Sequence, residues 1–210
     1  LMNGSPSAIE TMMADQINNI TDDASVETVI SNLFNTFKTK STFNQEIGEP
    51  MTKDIFKDRI KKISLSQSQA HFILRNKIRK DIEIANPVGV IHPSVLVSAK
   101  GGHVEHILPQ EPENWDEKWS ENGKPSELHI KMVNRIGNLT ILDSSTNSSL
   151  GNKSWEEKKE VYQNMNWVVT TEIAANENWD EEEINARCDE LAEWIASVWW
   201  SEELDPQEEE

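Results

Sequence analysis

Apolar residues recur at helical spacing through most of this 210-residue sequence and abandon it in one stretch. Val26, Val29, Ile30, Leu33, Phe34 and Phe37 follow steps of three and four, with Asp22 or Asp23 placed to cap the helix. Thr52 opens a second helix, with Ile55, Ile60 and Ile63 inward and Lys57, Lys61 and Lys62 outward. A third runs from about Ser68 and stops before Pro87. Between 88 and 110 the pattern becomes short, apolar and β-branched (VGVIHPSVLVSA, then GGHVEHILPQ), punctuated by Gly101 and Gly102 and ended by Pro109. Residues 111–130 are polar, with Gly123 and Pro125 marking a loop, and NLTIL from Asn138 to Leu142 is a second strand. Ser144 to Gly151 is polar and turn-rich. Ser154 and Glu157 have capping-box spacing at the head of a helix reaching Asn164. Asp180 and Glu183 repeat it before a final helix whose buried face is Ile184, Cys188, Leu191, Ile195 and Val198. Strands this few among helices predict an α+β fold, mostly α-helical.

Charge narrows the function classes only once it is located. The net charge is −17, but residues 1–65 carry −2, 66–100 carry +3, 101–165 carry −4 and 166–210 carry −14. Whole-chain acidity therefore does not exclude nucleic acid as a partner. A basic cluster at Arg75, Lys77, Arg79 and Lys80 is read first as a solvated helix face. At 36% hydrophobic and 27% charged, the composition supports a core and argues against wholesale disorder. No apolar run approaches the ~18 residues of a membrane helix, and the opening LMNGSPSAIE lacks the regions of a signal peptide, so a cytoplasmic location is expected. With Cys188 alone there is no intramolecular disulfide and no CxxC zinc site, which leaves His, Asp, Glu or Asn for any metal.

Three polar clusters fall within about 50 residues: Glu105-His106 at the end of one strand, Asn138 at the opening of the next, and Asn147 in the turn and short helix beyond. Phosphodiester hydrolysis needs a base to deprotonate water and a divalent cation, held by hard oxygens, to take up charge on the phosphate and the leaving oxygen. A histidine beside a carboxylate, followed by an amide oxygen, supplies those parts. Each residue alone has a blander reading, His106 as a structural histidine and the two asparagines as turn residues.

Together the strings HVEHILPQ, VNRIGNLTIL and TNSSLGNKSWEEKKEVY resemble the C-terminal nuclease domain of GmrSD-type modification-dependent restriction enzymes, a branch of the His-Asn-His (ββα-metal) endonucleases that also closes the phosphorothioate-sensing SspE defence proteins. The resemblance covers about 66–200 and is densest at 101–162. It implies a small ββα-metal core among helices, with His106 as general base, Glu105 and Asn147 as ligands of Mg²⁺ or Mn²⁺, and Asn138 holding the loop that bears the histidine. Two departures stand out: Glu105 replaces the more usual Asp, and the loop from His106 to Asn138 is long and carries Trp115, Trp119 and His129. Candidate substrate contacts are Lys158, which matches a lysine the family usually has, with Arg135, His103 and Asn152. The tryptophans at 155, 167, 179, 194, 199 and 200 are read as packing rather than base stacking.

The resemblance further implies a nicking effector domain of a bacterial anti-phage restriction protein, acting on modified or foreign, double-stranded DNA. An upstream sensor and nucleotide-hydrolysing domain would control it, since this chain carries no GxxxxGK[ST] loop. The expected organisation is an added scar or linker at 1–20, a helical subdomain at 21–100, the nuclease core at 101–165, a helical part packing on it at 166–200 and an acidic disordered tail at 201–210. The alternative is a catalytically inactive relative of the same fold that binds DNA or docks a protein.

Overall fold

A computed structural model describes residues 52–85, 102–112, 115–165 and 168–200. The expected helix at 22–37, the apolar run at 88–100 and the acidic tail lie outside the described residues. In chain order the elements are α1 (Lys53–Lys62), α2 (Gln67–Ala85), β1 (His103–His106), β2 (Ser120–Glu121), β3 (Lys124–Pro125), α3 (Glu127–Met132), a 3-10 turn (Ile136–Asn138), β4 (Leu139–Leu142), α4 (Ser144–Leu150), α5 (Trp155–Asn164), α6 (Val168–Ala174) and α7 (Glu181–Trp199). The described part is thus mostly helical with two small antiparallel strand pairs, an α+β arrangement. The chain divides into two units, one of Leu1–Phe56 with Trp199–Glu210 and one of Lys57–Val198. Within the first, the rings of Phe56 and Trp200 lie 5.4 Å apart.

The second unit is organised about β1 and β4, which pair antiparallel with Glu105 opposite Thr140 and His106 opposite Leu139. All four residues of β4 are buried, which is why LTIL reads as continuous rather than alternating. Helix α2 packs on both strands, α4 on β1, and α6 on α5. Ile73 and Leu74 of α2, Ile107, Ile141 and Ile184 are among the core residues. The capping box at Ser154 and Glu157 is present in both directions. At the head of α7, Glu183 accepts from the Asp180 amide at 3.0 Å and Asp180 accepts from the Glu182 amide at 2.9 Å. The expected apolar face of α7 is buried at Ile184, Cys188, Leu191 and Ile195, with Ala192 and Ala196 beside them. Val198 departs from the expectation and is 46% exposed, because the stripe runs off the core in the last turn.

Two further differences, and one close approach, come from contacts that are distant in sequence or from short elements. Lys57 and Lys61 do not face open solvent: they pair with Glu193 and Asp189 of α7, each at 2.8 Å. The stretch read as a loop at 111–130 contains a two-residue hairpin with Asn122 (φ 54°) and Gly123 (φ 72°) at its tip, and ends in α3. Gly137 brings the 3-10 turn against α7 so closely that a Cβ there would collide with the Ile184 carbonyl and sit 2.7 Å from Cys188 Sγ.

Candidate active site

The end of β1 presents Glu105 and His106 to α5. Lys158 and Tyr162 are four residues apart on that helix and so share a face. Both reach Glu105 Oε1, Lys158 Nζ at 2.7 Å and the Tyr162 hydroxyl at 3.1 Å. Lys158 Nζ also donates to the His106 carbonyl at 2.6 Å. Glu105 is 3% exposed and Lys158 wholly buried. Burial pushes the Glu105 carboxyl up, against the attraction of Lys158 and the bonds from Lys158 and Tyr162. Burial likewise pushes the Lys158 ammonium down, against Glu105. The Tyr162 hydroxyl is raised by burial and by the carboxylate it serves.

His106 is held through one nitrogen. Its Nε2 lies 2.9 Å from Asn134 Oδ1. An amide oxygen only accepts, so Nε2 carries the proton and Nδ1 keeps the lone pair. Burial lowers the His106 pKa below the ordinary imidazole value, opposed by the Asn134 bond and assisted by the charges of Lys158 and His129. The neutral ring is therefore the resting form at neutral pH.

Asn138 is fully buried and uses its whole amide. Its Nδ2 donates to the Leu108 and Val133 carbonyls, both at 2.9 Å. Its Oδ1 accepts from the Leu108 amide at 2.7 Å and from Trp179 Nε1 at 3.0 Å. The segment after His106 is tied down by these bonds, and by His129 Nε2 on the Pro109 carbonyl at 2.9 Å. Asn147 sits in α4, which Asp143 caps by accepting from the Thr146 amide at 3.0 Å. Its Oδ1 is buried and has no hydrogen-bond partner among the described residues. Among those residues no three His, Cys, Asp or Glu side chains converge, so a cation held here would take an amide oxygen beside a carboxylate.

The expected substrate contacts fare differently. Lys158 is not directed at solvent and cannot meet a phosphate from its buried position; it anchors Glu105 and the His106 backbone. Arg135 is likewise engaged internally, donating to the Lys61 carbonyl at 2.6 Å and to Asn185 Oδ1 at 2.7 Å, a cross-link from α1 to α7 rather than a free clamp. His103 is exposed at the start of β1. Asn152 accepts from the Glu111 amide at 3.4 Å. In the basic cluster Lys77 is paired with Asp81 at 2.7 Å. Asn134 and Tyr162 were not singled out by sequence, while His129 was noted only as part of the long loop and Trp179 only as a packing residue, without their bonds to the Pro109 carbonyl and to Asn138. Of the two missed residues, Tyr162 had a signal, lying one helical turn beyond Lys158.

The model of a known family, GmrSD restriction endonucleases, C-terminal domain, matches residues 34–194, and the chain belongs to that family. Membership makes it a restriction-endonuclease domain with DNA as its substrate class. No curated protein and no solved structure matches the chain. Among the described residues no helix is long and apolar enough to cross a membrane.

Proposed function

We propose that this domain is a metal-dependent DNA endonuclease of the His-Asn-His (ββα-metal) type that nicks one strand per catalytic event. The observation that carries the reading is the orphaned Asn147 Oδ1, buried in a helix that packs against the strand ending in Glu105-His106. A buried acceptor without a donor costs roughly 1–3 kcal/mol, and a cation removes that cost. Lys158 and Tyr162 both use Glu105 Oε1, so Oε2 takes neither bond and supplies a second hard oxygen. This donor set suits Mg²⁺ or Mn²⁺. When bound, such an ion would neutralise charge on the scissile phosphate and the departing 3′ oxygen.

The remaining chemistry belongs to the side chains. His106 Nδ1 takes a proton from the attacking water as the water oxygen bonds to phosphorus and the phosphorus–3′-oxygen bond breaks; the departing oxygen takes a proton from solvent, leaving a 5′-phosphate and a 3′-hydroxyl. Asn134 fixes the tautomer that makes this possible. Asn138 holds the following loop, and Lys158 holds the His106 carbonyl and the Glu105 carboxylate together. Family membership and the resemblance noted above favour a cytoplasmic bacterial defence role against modified or foreign double-stranded DNA, under an upstream sensor domain.

Supercoiled-plasmid nicking by the purified chain in Mg²⁺, Mn²⁺ or EDTA, beside His106→Ala, tests the proposal. Open circles that require metal and vanish in the variant are expected. A folded chain that neither binds metal nor nicks would overturn it and leave a non-catalytic DNA-binding or docking module.

A further inference from the structure

Beside the catalytic strand lies a cavity of about 280 Å³ walled by Trp119, Trp155 and Trp179 with Pro109 and Pro112. Its volume is just under the roughly 300–1,000 Å³ of drug-sized ligand sites, which suits one planar heterocycle. We propose that this pocket receives a single DNA base flanking the scissile phosphate, turned out of the stack, and that it prefers bases carrying an exocyclic amine. The inference deepens the nuclease reading and rests on DNA being the substrate.

Position is the first argument. Ile107 and Leu108, the two residues after His106, line the cavity, and so do Ser154 and Trp155, which follow α4 and its Asn147. The wall is also bonded to the site: Trp179 Nε1 and the Leu108 amide share Asn138 Oδ1, at 3.0 and 2.7 Å. A base pressed against Trp179 therefore bears on the loop that follows His106.

Chemistry is the second. Trp155 and Trp179 form a tilted pair 5.3 Å apart, with Trp119 on another wall, an apolar aromatic lining of the kind on which bases stack regardless of sequence. The rim carries Asp116, Glu156 and Asp180 against Lys118, which is paired with Asp180 at 3.2 Å. A net-acidic rim repels phosphate and admits an uncharged base. Asp116 Oδ1 accepts from the Lys118 amide at 2.7 Å, and Asp180 is held by the Glu182 amide and Lys118. That leaves Asp116 Oδ2 and Glu156 as acceptors, which favour the two N–H groups of an exocyclic amine over the single N3–H of thymine between its two carbonyls.

The test uses the 210-residue chain in EDTA at low salt, with labelled single-stranded decamers of cytidine, thymidine or abasic nucleotides read by fluorescence anisotropy. The cytidine decamer should bind roughly 5- to 150-fold more tightly than the abasic one, the range for one stacked base. Trp119→Leu should erase that gap. Asp116→Asn, at an exposed rim position, should keep it while weakening the preference for cytidine over thymidine, and an unchanged preference would overturn the part given to that carboxylate. Equal affinity of wild type for cytidine and abasic decamers overturns the proposal, and so does a gap that survives in folded Trp119→Leu. If Trp119→Leu does not fold, the wild-type comparison and Asp116→Asn decide. Plasmid nicking and Mg²⁺ binding run in parallel: nicking without base-dependent binding removes the pocket alone, and base-dependent binding by a folded chain that neither binds metal nor nicks removes the nuclease reading alone.

Discussion

A carboxylate and an ammonium both withdrawn from water depend on each other, and Glu105 and Lys158 are such a pair. Removing one partner strands the other charge, so Lys158→Met is expected to cost about 3–5 kcal/mol in urea unfolding. The double variant Glu105→Gln with Lys158→Met should cost markedly less than the sum of the two single changes, and additivity would show that the pair does not act as a unit. His106 gives a pH signature. Its folded pKa lies below the unfolded value of about 6.5, so between the two the unfolded chain binds more protons and stability falls as pH falls. As a base it is active when neutral, which puts the acid limb of nicking below pH ~6.5. The Asn134 bond raises the His106 pKa. Asn134→Ala should therefore move the limb to lower pH, and should also lower the plateau because the ring no longer holds one tautomer. A limb that moves upward would assign Asn134 a different part.

Short elements carry the site, and their ends decide where its atoms lie. Burial acts to raise the Asp143 carboxyl, but bonds from Ser145 and Thr146 prevail and hold it at about 2. This N-cap contribution is present above the ordinary carboxylate value near 4 and is lost as pH falls through about 2. Asp143→Ala should cost roughly 1 kcal/mol near neutral pH and progressively less toward pH 2, by denaturation at each pH. Gly137→Ala meets backbone of α7 rather than a yielding side chain, and should cost at least the roughly 1–3 kcal/mol of an overpacked core. Elements with local signatures were legible in sequence: the Ser154–Glu157 box and the Asp180–Glu183 pair stand where the spacing put them, and the expected NLTIL strand is present from Leu139, with Asn138 closing the 3-10 turn before it. Helix α3 was not, because six residues carry less than two turns of periodicity, though Asn122-Gly123 was a readable hairpin signal. The site was legible as a set of polar residues but not in their directions. Lys158 and Arg135 are cations whose sequence fits phosphate binding, and only long-range partners, Glu105 and Asn185, turn them inward. Asn134 has no local pattern that ties it to His106, 28 residues earlier.

At the scale of the whole chain, a net charge of −17 works against compactness and against an anionic substrate alike. Any added salt should therefore raise the melting temperature by screening, and Mg²⁺ will do so even without a specific site. A specific site adds a separate increment, about 2.7 kcal/mol when free ion exceeds its Kd a hundredfold, or roughly 5–10 °C for a chain of this size. The two effects separate by comparing Mg²⁺ with NaCl at equal ionic strength, and by Asn147→Leu. That substitution removes a buried acceptor that has no protein donor and places a better helix former in α4. The expected result is a chain as stable as wild type or more stable without divalent ion, with the Mg²⁺-specific increment gone and nicking lost. A variant that is destabilised in EDTA would mean that Asn147 holds the fold rather than an ion, and the acceptor would need another partner. The expected pattern instead places Asn147 where function is maintained at a cost to the empty fold, the cation offsetting a penalty that the free chain bears.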